Sequence, residues 1–142
     1  MRLTCLCVLL LPLALTGSTK KDLDIFQGTW IAQSLQYDGQ DVTNEIKLSL
    51  IFKDDTATVE GQGDVKTEYA RIKIKLDPDA RPKTIDITVV AGNQKNVAMK
   101  GLYELKEDEL KLCVNVFGKD RPTAFESAGG SNIALLTLKR KP

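Results

Sequence analysis

Gly28-Thr29-Trp30 heads a run of short segments in which apolar and polar residues alternate, and its reading decides the fold. Trp30 is the only tryptophan among 142 residues. A buried indole hides on the order of 150–250 Å², which suits a plug at the end where the chain enters a small closed sheet. Gly28 lets the backbone turn sharply and approach its neighbours. If the strand count is even, the C-terminal Leu138-Lys139-Arg140 returns to that same end. Arg140, or Lys139 beside it, is then expected to lay its charge over the Trp30 face.

Outward from Trp30, period-two patterning dominates and turn residues punctuate it. A short helical turn is expected over residues 21–27, with Leu23 and Phe26 on one side. Residues 29–37 read as the first strand, ended by Asp38-Gly39, and residues 42–47 as a short helix capped by Asp41 or Thr43. Leu48, Leu50 and Phe52 alternate with polar neighbours, and Asp54-Asp55 turns them into residues 56–60 as a hairpin. Residues 65–76 give the cleanest alternation, with Ala70, Ile72, Ile74 and Leu76 on one face. Ile85, Ile87 and Val89 form the next inward row, then Val97, Met99, Gly101, Tyr103 and Leu105, then Leu110, Leu112, Val114 and Val116. A long loop over residues 118–131 precedes a last strand at 132–139.

Helices long enough for parallel crossovers are missing, so the sheet is expected to be antiparallel. About eight strands joined by short turns can close on themselves and abolish both edges. The fold expected is all-β, a single up-and-down eight-stranded barrel with a short helical turn at its N-terminal side.

Residues 1–18 read as a leader rather than as part of that barrel. Arg2 is their only charge, Leu3 to Leu15 form an apolar run of about 13 residues, and Ala14, Thr16, Gly17 and Ser18 offer a small-residue exit. A membrane span needs roughly 20 apolar residues, so a removable secretory signal is expected, with the domain occupying residues 19–142 in a periplasmic or extracellular compartment. The leader takes Cys5 and Cys7 with it and leaves Cys113 as a lone thiol, read as a packed side chain. The whole chain carries 20 basic and 19 acidic residues, so without Arg2 the two balance. A net charge of zero offers no field to steer nucleic acid or an anionic membrane.

Several ordered pieces resemble a known family. Gly28-Thr29-Trp30, Asp77-Pro78 followed by residues 81–86, Leu102-Tyr103-Glu104-Leu105, Leu110-Lys111-Leu112-Cys113, residues 118–125 and the closing Leu138-Lys139-Arg140 are similar to the lipocalin-like domain of unknown function expanded in planctomycete bacteria. The resemblance spans nearly the whole chain after the leader and implies a lipocalin-like barrel, with no biochemical function attached. Of the motifs of true lipocalins, only the Gly-x-Trp and the terminal basic residue correspond. Tyr103-Glu104-Leu105-Lys106 stands where their Thr-Asp-x-x-Tyr would be.

The chain contains no histidine, which removes the commonest general base and the usual zinc ligands. The acidic pairs at Asp54-Asp55 and at residues 107–109 fall at hairpin tips, where solvated carboxylates are ordinary. The reading is therefore a non-catalytic domain that needs no metal or cofactor. Two functions are open. The barrel interior could hold a small apolar ligand, with Met99, Gly101 and Tyr103 leaving room, or a filled barrel could serve as an interaction or structural domain for a protein partner. Arg121 and Phe125, in the longest irregular segment, are candidate ligand contacts at the barrel's edge. The plainer alternative has Phe125 pinning the loop while Arg121 pairs with Asp120 or Glu126.

Overall fold

Each alternating segment has one greasy face to hide, and a closed sheet hides all of them around one axis. The computed structural model describes residues 17–142. Its elements are α1 (Gly17–Phe26), β1 (Gly28–Tyr37), β2 (Gln40–Asp41), α2 (Thr43–Ile46), β3 (Ser49–Lys53), β4 (Thr56–Glu60), α3 (Val65–Glu68), β5 (Arg71–Asp77), β6 (Thr84–Ala91), β7 (Ala98–Lys106), β8 (Glu109–Asn115) and β9 (Ile133–Arg140). Strands β3 to β9 pair in chain order, β1 pairs with β3, and β9 returns to β1. Every pairing is antiparallel, so eight strands close an up-and-down barrel, with β2 as an extra two-residue strand beside β1. The expected leader lies outside the described residues, apart from Gly17 and Ser18, which open α1.

Two expectations about local structure are corrected. The helix before β1 starts at Gly17 and runs to Phe26, longer than a single turn at 21–27. Residues 65–76 are not one strand: Val65–Glu68 is a helical turn and β5 begins only at Arg71. Val65 is the one large apolar residue of Val65-Lys66-Thr67-Glu68, so no inward row holds that stretch extended. The Glu68 and Tyr69 N–H groups instead donate back to the Asp64 and Val65 carbonyls, at 2.8 and 2.9 Å. Ala70 joins the sheet only through its carbonyl, which accepts the Val59 N–H at 3.0 Å.

The lumen is filled. Inward residues of all eight strands, among them Leu35, Leu50, Val59, Ile74, Ile87, Met99, Leu112 and Leu138, are no more than 7 % exposed and form one cluster with Phe26 and Trp30. Gly101 leaves no void. A Cβ there would come within 2.7 Å of the Cys113 carbonyl oxygen and 2.9 Å of a Val114 methyl, so the glycine permits close packing instead of making room.

One end is closed by α1. Gln27 exchanges hydrogen bonds with Asp54 at the β3–β4 tip, while Asp22 bonds to Tyr103 on β7, so the helix spans the opening. Phe26 points in and meets Phe52 and Tyr103 edge-on, at 5.2 and 5.4 Å between centroids. The Trp30 indole N–H donates to the Phe26 carbonyl at 2.8 Å. Trp30 pairs in register with Arg140, whose guanidinium lies 4.4 Å from the indole centroid. The same guanidinium donates to the carbonyls of Gln27 and Ile25, both at 2.6 Å, and meets Asp108 at 3.4 Å. Two orphan carbonyls at the end of α1 are thereby satisfied. Gly28 adopts φ of +108°, a backbone conformation that other residues rarely take, and a Cβ there would stand in van der Waals contact with the Arg140 guanidinium at 3.4 Å. Asp108 is thus more than a solvated tip, since its carbonyl also accepts the Arg140 N–H at 2.9 Å.

The far end is covered by α2, α3 and the β6–β7 turn. Val42, Ile46, Val65, Tyr69 and Val97 pack there against the core. Hydrogen bonds from Gln94 and Asn93 tie down Glu68 and hold its carboxyl below the usual carboxylate range.

Arg140→Ala removes the indole contact and both charged hydrogen bonds to α1. Its expected cost is about 2–4 kcal/mol in urea unfolding, with a red shift of Trp30 emission. Wild-type stability and an unshifted spectrum would contradict this role for Arg140.

Candidate functional site

With the lumen occupied, chemistry has to be sought where polar side chains converge on the outside. Tyr103 alternates inward on β7 and is buried, but its ring reaches the α1 end, where a bare hydroxyl would be costly. Asp22 answers it. The phenol donates to Asp22 Oδ2 at 2.7 Å and Lys83 Nζ donates to the same oxygen at 2.9 Å. Asp22 is only 6 % exposed, and it lies one helical turn before Phe26 on the buried side of α1. Burial pushes the Tyr103 phenol well above its ordinary range, followed by the hydrogen bond and charge of Asp22 and the charges of Asp77 and Asp79. A phenol held protonated this firmly is a structural donor rather than a base.

Beside this cluster a shallow cleft of about 220 Å³ is lined by Arg81, Pro82, Lys83, Tyr103, Glu104, Leu105 and Phe125. Two of the sequence-derived candidates, Tyr103 and Phe125, therefore meet at one place. Lys111 Nζ lies 6.0 Å from the centre of the Phe125 ring. A second, more open cleft of about 620 Å³ lies at the β7–β8 tip against Lys139. Neither is lined by inward residues of more than one strand.

Met99 and Arg121 lie elsewhere. Met99 is buried in the lumen opposite Ile87. Arg121 pairs with neither Asp120 nor Glu126, contrary to the sequence expectation. It lies across β6 and β7, donating to the carbonyls of Ile85 (3.1 Å) and Gly101 (2.8 Å) and to Asp86 Oδ1 (2.6 Å). The planar fork of a guanidinium suits three acceptors on two strands. Lys100 adds a second cation to Asp86 at 3.2 Å. Burial pushes the Asp86 carboxyl up, but the hydrogen bonds and charges of Arg121 and Lys100 outweigh it and hold it below the ordinary range.

Arg121 thus straps the 118–131 loop to the barrel wall. Beneath the strap, Leu102 and Cys113 face each other across β7 and β8. Both point outward by register, yet both are buried and stand apart from the lumen cluster. The Cys113 thiol points at the carbonyls of Ala124 and Glu126, at 3.4 and 3.7 Å, and burial pushes it up, away from thiolate reactivity. Sequence reading missed Asp22, Lys83 and Asp86. For Asp22 a signal exists, a carboxylate one turn from Phe26 on an apolar helix side. Asp86 is separated from Arg121 by 35 residues, and nothing local links them.

Among the described residues no group of three or more His, Cys, Asp or Glu could hold a metal ion, and no buried side-chain nitrogen or oxygen lacks a hydrogen-bond partner. No family model, curated protein or solved structure matches the chain.

Charge-assisted hydrogen bonds each contribute about 1.5–3 kcal/mol, so Arg121→Ala should let the loop open far more often. Alkylation of Cys113 at neutral pH is expected to accelerate by roughly tenfold or more with far-UV dichroism unchanged; an unaltered rate would remove the strap. Asp86→Asn tests the same contact by pH. A lowered carboxyl adds stability that is complete above the ordinary aspartate pKa of about 3.9 and is lost as pH falls through the lower folded value. The stability difference from wild type should therefore be present at neutral pH and vanish in strong acid. A difference independent of pH would contradict the assignment.

Proposed function

We propose that the protein is an exported, non-catalytic interaction domain that meets its partner through its outer wall and loops, the barrel serving as a rigid frame. The observation that carries this reading is the lumen: side chains from eight strands occupy it, α1 covers one end, and α2 and α3 cover the other. Eight-stranded barrels are just wide enough for side chains to fill, so a ligand inside would have to displace buried Leu, Ile and Met residues. The polar groups that converge do so outside, around Tyr103, Lys83 and Phe125 and around Arg121 and Asp86. Absence of histidine and a firmly protonated Tyr103 favour binding over catalysis. Export rests on the Arg2 start, the Leu3 to Leu15 run and the small residues that follow.

Native mass spectrometry of the protein from its own host tests both halves. The expected mass is that of a chain starting near Thr19, with no retained adduct. A stoichiometric apolar adduct would make the barrel a ligand carrier instead, and an intact N-terminus on cytosolic protein would overturn export.

A further inference from the structure

Charges balance along the chain but are not evenly spread over the barrel. The outward row of β5 is Arg71, Lys73 and Lys75, ended by Asp77, all exposed and alternating with buried Ile72, Ile74 and Leu76; the three cations stand in succession. Successive outward residues on one strand stand about 6.8 Å apart, so these three form a straight cationic line. Register extends it sideways. Lys75 faces Asp86 on β6, and Asp86 faces Lys100 on β7. Arg121 lies on that same Asp86, so this carboxylate pairs with two cations, Lys100 and Arg121. Lys73 meets Asp55 at 3.7 Å, while Arg71 and Lys75 form no ion pair among the described residues. Threonines fill the spaces: Thr58 opposite Arg71, and Thr56 and Thr88 on either side of Lys73.

Resting on the outer-wall reading above, we infer that the β4–β7 wall, with Arg71, Lys73, Lys75 and Lys100 at its centre, docks an acidic polysaccharide. A row of like charges repels itself, and a polyanion laid along it relieves that repulsion. Threonine hydroxyls between the cations can exchange hydrogen bonds with sugar hydroxyls. Single-stranded nucleic acid fits less well, because its binding surfaces use aromatic platforms for the bases. β4, β5 and β6 carry no aromatic residue, and the one on β7, Tyr103, points inward.

The test is binding of the folded protein to polyuronate and to sulfated dextran, with neutral dextran and oligothymidylate as comparisons. Arg71→Ser, Lys73→Ser and Lys75→Ser are combined in one variant. Lys119→Ser, Lys139→Ser and Lys141→Ser, combined in a second, remove equal charge away from that wall. All six side chains are exposed, so melting temperature serves as the folding control. Binding of both acidic polymers by wild type is expected to weaken steeply with salt. It should fall about tenfold or more in the β5 variant and change little in the second. Equal losses in the two variants, tighter binding of oligothymidylate, or no preference over neutral dextran would overturn the inference. None of these results bears on whether the lumen holds a ligand, which the adduct mass decides separately.

Discussion

An eight-stranded barrel has an interior about as wide as the side chains that line it, and that constraint governs the rest of this molecule. Ile, Leu, Val and Met on the inward rows meet across the axis and leave the two ends as the only openings. Water at either end would undo the burial, so each end needs a stopper. At the N-terminal end the stopper is layered: Phe26 inside, Trp30 beneath it, and the Arg140 guanidinium over the indole while holding two carbonyls of α1. First and last strands meet at that point, so closing the sheet and closing its floor are one event.

A full interior moves every other polar interaction to the surface, and the surface contacts then act as fasteners. Lys83 and Tyr103 share Asp22 and hold α1 in place. Arg121 holds the long loop, whose Ala124 and Glu126 carbonyls meet the Cys113 thiol, and Leu102 lies buried opposite Cys113 on the outside of the wall. Those two residues make a second small apolar layer, separate from the lumen. The outward row of β5 stays uncovered, and Arg71, Lys73 and Lys75 stand on it.

How much of this could be read from the chain follows from the range of each signal. Alternation is local, so the inward rows at Leu50 and Phe52, at Ile85, Ile87 and Val89, and at Leu110, Leu112 and Val114 were all legible. Where alternation lacked apolar support, at residues 65–70, the strand reading failed and a helical turn took its place. Cys113 reads as a packed side chain and is buried, but the Ala124 and Glu126 carbonyls that meet its thiol belong to a loop that no periodicity links to it. Asp22–Tyr103 and Asp86–Arg121 are separated by 81 and 35 residues and exist only once the barrel has closed. The gathering of cations is likewise a product of register, since Lys75 and Lys100 come together only across β6. A net charge summed over the sequence hides it.

A filled lumen admits no guest, and xenon tests this without any assumption about ligand identity, because dry apolar cavities of about 150 Å³ take it up. Crystals held under xenon pressure should show no gas atom between the inward faces of Ile87, Met99 and Val114. An ordered xenon site on the barrel axis would contradict the filled interior and, with it, the assignment of function to the outer wall.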